Sequence, residues 1–315
     1  MAQYILRRMG TSLVVIVGIS IIVFALLHGM SGAPGRSVLG PEASPEAVAA
    51  FNREQGFDDP VVVQYLRYMA GLLQGDLGHS YKLNQSVAEL LGQNIGRSAM
   101  LSLAALVVSI AVAVPLGVYQ ARRRNQLSDN VLTAGTFLLY ASPQFFLGLL
   151  AIEIFSVGLG IFPSQASQSE SAFVIFTDPR SMALPVATLA AANIAVFARY
   201  QRSATLDELG QDYIKVARAK GVPERRIVRH HLLRNASLPL ITLIGISMPA
   251  LLAGNLVIET IFNYPGLGLL FMNSLSRQDY PVLLAYTLIG GVLTVLGNFL
   301  ADLVLVAADP RITLS

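Results

Sequence analysis

The chain of 315 residues contains no cysteine, which excludes disulfide bonds, thiolate metal sites, iron–sulfur clusters and a cysteine nucleophile. Charged residues are also scarce, because they make up 13% of the chain, whereas soluble proteins have about 25%. Hydrophobic residues account for 54%. This composition argues against a soluble globule and predicts a protein that crosses the membrane several times.

The sequence also lacks the motifs of common catalytic and phosphate-binding sites. Its lysines are Lys82, Lys215 and Lys220, and none follows a glycine, so the Gly-Lys pair of an ATP-binding Walker loop is absent. No G-x-S-x-G or H-E-x-x-H pattern occurs. The adjacent His230 and His231 would point about 100° apart on a helix, which disfavours a shared metal ion. We therefore expect no enzyme, no metal site and no nucleic-acid partner.

Six stretches without charged residues are long enough to cross a bilayer as helices. They cover residues 9–27, 98–121, 130–152, 181–198, 235–258 and 280–301. We expect Pro143 to kink or break the third helix, and Pro115, Pro185 and Pro249 to bend others. The sequence therefore predicts an all-α membrane protein with six transmembrane helices.

The distribution of basic residues predicts the orientation of these helices. If the N-terminus is cytoplasmic, most of the 22 lysines and arginines also lie on the cytoplasmic side, as the positive-inside rule requires. Both termini are then cytoplasmic. A cleaved signal peptide is the alternative for residues 1–30, because Arg7 and Arg8 precede an apolar run. That run is long for a signal peptide, which favours an uncleaved first helix.

The chain divides into an N-terminal helix at 1–30, an external segment at 31–97 and a five-helix core at 98–315. Within the external segment, Ser44-Pro45 and Asp59-Pro60 each resemble a helix cap followed by a first-turn proline. An amphipathic helix should follow, with apolar residues at Val62, Tyr65, Leu66, Met69, Leu72 and Leu73. A short separate helix is predicted from Val87, Leu90 and Leu91. The segment could cap the bundle or dock an external partner.

A basic cytoplasmic loop at 199–234 has the pattern of two helices joined at a corner. Asp212 lies near the start of the first helix and Gly221 is placed to end it, while Pro223 would restart a helix in its first turn. We expect one face of the first helix to carry Tyr213, Val216, Ala217 and Lys220. The small Ala217 and Ala219 would allow another backbone to approach closely. The alternative is a solvated loop that only obeys the positive-inside rule.

The run KVARAKG at 215–221, followed by Leu238-Pro239, resembles the cytoplasmic coupling loop of permease subunits in ATP-binding-cassette importers. The longer fragments DYIKVARAKG and HHLLRNASLP are similar to the dipeptide/oligopeptide branch, specifically its first-permease (B-type) members. The fragments YILRR, GDLGHSY, ASPQFFLG, ETIFNYPGLGLL and ADPRI agree, so the resemblance covers essentially the whole chain. One departure is that the general motif begins with Glu-Ala, where this chain has Lys215 and Val216.

The resemblance implies the type I importer permease fold in a bacterial or archaeal cytoplasmic membrane. It implies a non-catalytic subunit that binds no cofactor, while separate ATPases use ATP and Mg²⁺. The implied partners are a second homologous permease, one or two ATPases, an external substrate-binding protein and membrane lipid. Peptides are the first cargo to expect, with nickel, glutathione or oligosaccharide as alternatives. The residues that would couple to the ATPase are Asp212, Tyr213, Val216, Ala217, Arg218, Ala219, Lys220 and Gly221.

The translocation path is indicated less clearly. The acidic residues Glu153, Glu259 and Asp302 fall near the predicted ends of their helices. Candidates for the path or a gate are Pro143, Phe145, Glu259 and Asn263, although Glu259 could instead be a carboxylate at the membrane interface. The competing class is a secondary transporter or channel that needs no ATP. Such a protein would need no docking corner, and no acidic residue is evident near the middle of a helix.

Overall fold

The computed structural model describes residues 2–30, 34–40, 42–80 and 82–308, which fold mainly into α-helices. The N-terminal helix α1 is followed by three shorter helices, α2 to α4, and a two-stranded antiparallel hairpin in which His79 lies opposite Ser86. Their bounds are α1 Ala2–Met30, α2 Pro34–Leu39, α3 Pro45–Gln55, α4 Val61–Leu73, β1 His79–Ser80 and β2 Gln85–Ser86.

The remaining helices form the rest of the bundle. Two short π-helical segments, here called π1 and π2, interrupt the α-helices. In chain order the elements are α5 Val87–Arg122, α6 Leu127–Ala141, α7 Gln144–Ala151, π1 Ile152–Gly158, α8 Val174–Thr177, α9 Pro179–Leu209, α10 Asp212–Ala219, α11 Glu224–Arg226, π2 Ile227–Leu232, α12 Leu233–Ala236, α13 Leu238–Ala253, α14 Leu256–Ile261, α15 Leu267–Arg277 and α16 Tyr280–Ala308.

Within the described residues, three helices are both long and apolar enough to cross a membrane: α5, α9 and the Tyr280–Phe299 part of α16. A fourth candidate is the pair Leu127–Ala141 and Gln144–Gly158, which is bent by 107°. The apolar part of α1, Gly10–Leu26, is shorter. These helices account for three or four of the six expected spans, and the six-span count stays a prediction.

The predicted break at Pro143 is confirmed, because α6 ends at Ala141 and α7 begins at Gln144. Ser142 and Pro143 between them have extended backbone, with ψ angles of 131° and 139°. By contrast, α5 and α9 each run through their internal prolines, Pro115 and Pro185, without interruption.

Two predicted helix boundaries are wrong because buried polar contacts extend the helices beyond the uncharged stretches. The separate helix expected near Val87 is the first part of the continuous α5. Its Arg97 is 7% exposed and donates to the carbonyl oxygens of Glu170 at 3.0 Å and Pro265 at 3.1 Å. Helix α9 likewise continues beyond residue 198, so the first part of the expected loop at 199–234 is helical.

The external segment forms the predicted helices with one difference in capping. Ser44 caps α3 by accepting a hydrogen bond from the backbone N–H of Ala47 at 3.2 Å, and Pro45 is the first helical residue, as expected. Pro60 is the residue before α4, not its first turn, and Asp59 forms an ion pair with Arg67 at 2.6 Å instead. The apolar side chains of helix α4 are largely exposed; Leu66, for example, is 60% exposed.

The core of the bundle is built around the close pair α5 and α9. A side chain at Gly117 of α5 would lie 2.7 Å from the carbonyl oxygen of Ala198 and 2.9 Å from the backbone nitrogen of Arg202. Only glycine permits this approach of two backbones. An apolar cluster fills the space towards the outer end and includes Leu101, Met182, Leu189, Ile258, Phe262 and Tyr264.

Candidate functional site

The corner expected in the cytoplasmic loop is present, and Gly221 makes it. Helix α10 ends with Gly221 in the left-handed conformation, at a φ of 73°. The N–H of Gly221 donates to the carbonyl of Arg218 at 2.9 Å, and the N–H of Val222 donates to the carbonyl of Ala217 at 3.2 Å. This pair of bonds is a Schellman motif, which glycine favours because it has no Cβ. We call residues 212–224 the elbow.

The second half of the elbow differs in detail from the expectation. Pro223 precedes α11 as its cap, with a ψ angle of 139°, and is not in the first turn. A proline is restricted to one φ angle that suits both positions, so the sequence did not distinguish them. After α11 the chain continues through π2 and α12 into α13.

One face of α10 packs against its own chain. Ile214 is fully buried and Ala217 is 8% exposed, and both contact Ile227 and Leu232 of π2. Of the face predicted for α10, Tyr213, Val216 and Lys220 are exposed, whereas Ala217 is buried towards π2. Ile214, which the sequence analysis did not single out, is the centre of the inward face, and Ala217 lies one turn further along the same face. The small side chain of Ala217 lets α10 lie close to π2.

The opposite face of α10 is open. Val216 is 50% exposed and Tyr213 is 37% exposed, while Lys220 and Gly221 are also exposed. A Cβ built at Gly221 would have no atom within 4 Å. This exposed face of α10 therefore combines the aliphatic Val216, the aromatic Tyr213 and Lys220.

Ion pairs within the elbow offset part of its positive charge. Lys215 contacts Asp212 at 2.9 Å, and Arg218 contacts Glu224 across the Gly221 corner at 2.6 Å. The hydrogen bond from Lys215 holds the pKa of Asp212 below its usual value. Both pairs are exposed, so solvent screening leaves each of them with little effect on stability.

The hydroxyl group of Tyr213 connects the elbow to the helices on either side of it. It donates to a carboxylate oxygen of Glu208, near the end of α9, and accepts a hydrogen bond from the side-chain amide of Asn235 at 3.0 Å. Loss of contact with water, and then the bond to Glu208, raise the pKa of this hydroxyl. Tyr213 is thus bonded both to the helix that enters the elbow and to the helix that leaves it.

A buried ion pair near the elbow was missed by the sequence analysis. Asp129, in the first turn of α6, is 1% exposed. Arg202 of α9 donates to its two oxygens from Nε at 2.9 Å and from Nη2 at 2.7 Å. The N–H of Asn125 donates to the same carboxylate at 3.0 Å. The signal in the sequence was an aspartate directly before an apolar stretch, but Arg202 was counted only as a cytoplasmic charge.

The side chain of Glu259 is 0% exposed in this chain, and its role at the path or a gate stays a prediction. Its Oε1 accepts from the hydroxyl of Ser98 at 2.6 Å and from the N–H of Asn255 at 3.0 Å. Its Oε2 accepts from the N–H groups of Gly268 at 2.6 Å and Leu269 at 3.3 Å, in the first turn of α15. A carboxylate at a helix N-terminus is favourable because it satisfies free N–H groups there. Glu259 therefore joins α5, α14 and α15.

The other candidates for the path lie at the surface of this chain. Phe145, in the first turn of α7, is 52% exposed. Asn263 is exposed in the turn after α14, where its φ angle is 50° and its carbonyl accepts from the side chain of Gln168 at 2.7 Å. Glu153 is exposed in π1, and the side chain of Asp302 lies outside the described residues. No cluster of three potential metal ligands occurs among the side chains that are described.

Comparison with known proteins supports the resemblance seen in the sequence. Residues 113–314 match the family described as binding-protein-dependent transport system inner membrane component, and residues 1–108 match the N-terminal family of the same membrane components.

Curated relatives match along nearly their whole length. The oligopeptide transport system permease protein AppB of Bacillus subtilis is 38% identical over 314 residues, which are 99% of each chain. The dipeptide transport system permease protein DppB of Escherichia coli is 34% identical over 335 residues, again with 99% of each chain covered. The glutathione transport system permease protein GsiC of Salmonella typhimurium is 33% identical over 312 residues, with the same coverage.

A solved structure shares the fold at lower identity. The methionine ABC transporter MetNI in an inward-facing conformation gives a TM-score of 0.52 at 20% identity and covers 70% of this chain and 96% of the compared chain. This likeness concerns the fold alone. Both family matches and the full-length relatives show that the chain belongs to the inner membrane components of binding-protein-dependent transport systems, as a non-catalytic permease subunit.

Proposed function

We propose that this chain forms half of the translocation path of an ATP-driven importer of peptides. The observation that carries the proposal is the 38% and 34% identity, over 99% of each chain, to permeases named for oligopeptide and dipeptide transport. A relative named for glutathione transport is nearly as similar. Glutathione is itself a small peptide, so a short peptide is the cargo class that these names share, and nickel and oligosaccharides are less favoured.

The proposal includes six transmembrane helices with both termini in the cytoplasm. Helices α1, α5, α9, α13 and α16 and the bent pair α6–α7 would be the six spans. This arrangement places the elbow and the arginines at 122–124 on the same cytoplasmic side, in agreement with the positive-inside rule. In this arrangement α13 is one of the transmembrane helices. Its 16 residues are short for that purpose, and the preceding α12 would add length.

The elbow would be the surface that the ATPase grips. A helix that lays an exposed face into a groove is a common recognition mode, and Tyr213, Val216 and Lys220 form such a face on α10. Ala217 would support that face from inside, and Gly221 would set the corner. ATP and Mg²⁺ would be bound by one or two ATPase subunits, because this chain has no Walker loop. A second homologous permease would complete the path, and a substrate-binding protein would deliver the peptide from outside the cytoplasmic membrane of a bacterium or archaeon.

Single cysteines test the position of the elbow, because the natural chain has none. Val216→Cys should crosslink to the ATPase in the assembled transporter and should be labelled by a membrane-impermeant maleimide only from the cytoplasmic side. Ile214→Cys is the matched control, because Ile214 lies two residues away on the same helix and is fully buried. Leu73→Cys, on the external α4 and 88% exposed in the wild type, should be labelled from the opposite side.

Uptake measurements test the energy source and the cargo. Proteoliposomes that contain both permeases, the ATPases and the binding protein should accumulate a labelled dipeptide or tripeptide only when ATP is present on the ATPase side. Uptake that persists without ATP while the membrane potential is held would show a secondary transporter or channel instead. ATP-dependent uptake of nickel or an oligosaccharide, with no uptake of peptides, would contradict the proposed cargo.

A further inference from the structure

Helix α6 is fixed to α9 at both of its ends. At the start of α6, Asp129 receives the two hydrogen bonds of the Arg202 guanidinium at 2.9 and 2.7 Å. At the end of α6, the ring of Tyr140 lies 4.7 Å from the guanidinium carbon of Arg199, in a cation–π contact. Arg199 and Arg202 are one turn apart on α9, so one short part of α9 holds the whole of α6.

The same part of α9 leads directly to the elbow. Helix α9 ends at Leu209 and α10 begins at Asp212. On its other side, α9 is pressed against α5, because a Cβ at Gly117 would lie 2.7 Å from the carbonyl oxygen of Ala198 and 2.8 Å from Cβ of Gln201. A force applied to the elbow therefore acts first on this part of α9 and on the helices attached to it.

Helix α7 also contacts α9, and in addition it packs on α14 and the apolar cluster around Phe262. A Cβ at Gly148 of α7 would meet Ile261 at 3.4 Å and Phe262 at 3.5 Å, and Phe262 is fully buried in the outer part of the core. Between α6 and α7 the helix direction changes by 107° across Ser142 and Pro143. Ser142 still donates its N–H to the carbonyl of Leu138 at 3.1 Å, but Pro143 has no N–H to donate, so the helical hydrogen-bond ladder ends there. This break is the place at which α6 can turn without distorting α7.

We propose that the Asp129–Arg202 ion pair is a positioning contact that makes α6 move with the elbow, with Ser142 and Pro143 as the hinge. A buried pair of this kind is weak evidence for stability, because desolvation opposes the attraction of the charges. The pair does fix the position of α6 relative to α9, because a guanidinium and a carboxylate joined by two parallel hydrogen bonds have a defined relative orientation. The inference rests on the proposed function, since it assumes that an ATPase displaces the elbow.

The test uses the complete transporter in proteoliposomes and measures peptide uptake and ATP hydrolysis together. Asp129→Asn keeps the size of the side chain but removes the charge that Arg202 contacts. We expect uptake per ATP hydrolysed to fall by about tenfold, within the usual range for coupling between two sites, while assembly and ATP hydrolysis persist. The double variant Asp129→Asn/Arg202→Gln should lose no more than the single variant, because both changes break the same contact.

The matched control is Arg123→Gln, which also removes one cytoplasmic arginine charge. Arg123 is exposed in the turn between α5 and α6, where it donates to the side chain of Gln126 at 3.1 Å, and its variant should transport as the wild type does. A second variant, Ser142→Ala/Pro143→Ala, tests the hinge without touching the ion pair. By allowing the helix to continue, it should also lower uptake per ATP.

The outcomes separate the inference from the proposed function. If uptake by the wild type does not require ATP, the proposed function is wrong and the inference fails with it. If the wild type requires ATP and both Asp129→Asn and the hinge variant keep its uptake per ATP, only the inference is overturned. If Asp129→Asn does not assemble, the hinge variant alone decides, and unchanged uptake per ATP in that variant overturns the inference.

Discussion

Replacing Glu259 by alanine tests whether its carboxylate holds the outer parts of the bundle together. In the structure this carboxylate accepts four hydrogen bonds, from the hydroxyl of Ser98 and from the N–H groups of Asn255, Gly268 and Leu269. The Ser98 hydroxyl can rotate towards another acceptor, but the three backbone N–H groups cannot. At about 1 kcal/mol or more for each buried donor left without an acceptor, the free energy of unfolding should fall by at least about 3 kcal/mol.

The assay is thermal unfolding of the purified protein in detergent, followed by circular dichroism at the helical minimum. A loss of 3 kcal/mol corresponds to a decrease in Tm of roughly 6–10 °C for a chain of this size. The matched control is Glu153→Ala, because Glu153 is an exposed carboxylate of the same bundle. Glu259→Gln should fall between the two, because the amide keeps one acceptor oxygen but turns an N–H₂ group towards the other donors.

The reasoning would be refuted if Glu259→Ala and Glu153→Ala unfolded at the same temperature. If Glu259→Ala were as stable as the wild type but transported peptides more slowly, the original prediction of a path-lining Glu259 would be correct instead. The structure favours the stability effect, since Glu259 is 0% exposed in this chain.

Three further predictions concern glycines and one buried acid. Gly221→Val should lower uptake per ATP while leaving membrane insertion intact, because a φ of 73° costs a residue with a Cβ about 1–2 kcal/mol. Gly221→Asn should be tolerated. Equal losses of uptake per ATP in the two variants would refute the role of the left-handed conformation. Gly117→Ala should lower the Tm, because the added methyl group would overpack against α9 at a cost of about 1–3 kcal/mol. Gly92→Ala in the same helix should leave the Tm unchanged, because a Cβ at Gly92 would have no atom within 4 Å. Burial raises the pKa of Asp279, so its contribution to stability is complete below the ordinary pKa of about 4 and is lost as the pH rises through the raised value. The Tm of the wild type should therefore fall relative to Asp279→Asn as the pH rises above about 4, and parallel curves would contradict the assignment.

The features that the sequence predicted well are those that depend on local chemistry. Gly221 ends α10 because a left-handed residue is needed there, and Pro143 breaks the third helix because it lacks an N–H group. Ser44 likewise caps α3 through its own side chain. Each of these effects requires only a few neighbouring residues, so a single sequence is sufficient to recognise it.

The features that were missed depend on partners far apart in the chain. Ser98 and Glu259 are separated by 161 residues, and Asp129 and Arg202 by 73. The sequence analysis treated each charge as the end of an apolar helix, because an isolated charge is costly in a membrane. Within the bundle these charges have hydrogen-bond partners, which removes most of that cost. The helices therefore extend past them: α5 begins before residue 97 and α9 ends after residue 198, so both predicted stretches were too short.

The placement of these contacts also limits where the bundle can bend. Helix α5 carries Ser98 in the outer Glu259 network and Gly117 in the close contact with α9, and these two positions are about 28 Å apart at 1.5 Å per residue. Because α5 is one uninterrupted helix anchored at both positions, it should move as a rod. Helices α6 and α7 are attached to the inner and outer contacts separately, and only two non-helical residues join them. Helices α5 and α9 are each uninterrupted, so we expect a displacement of the elbow relative to the outer end to bend the bundle between α6 and α7.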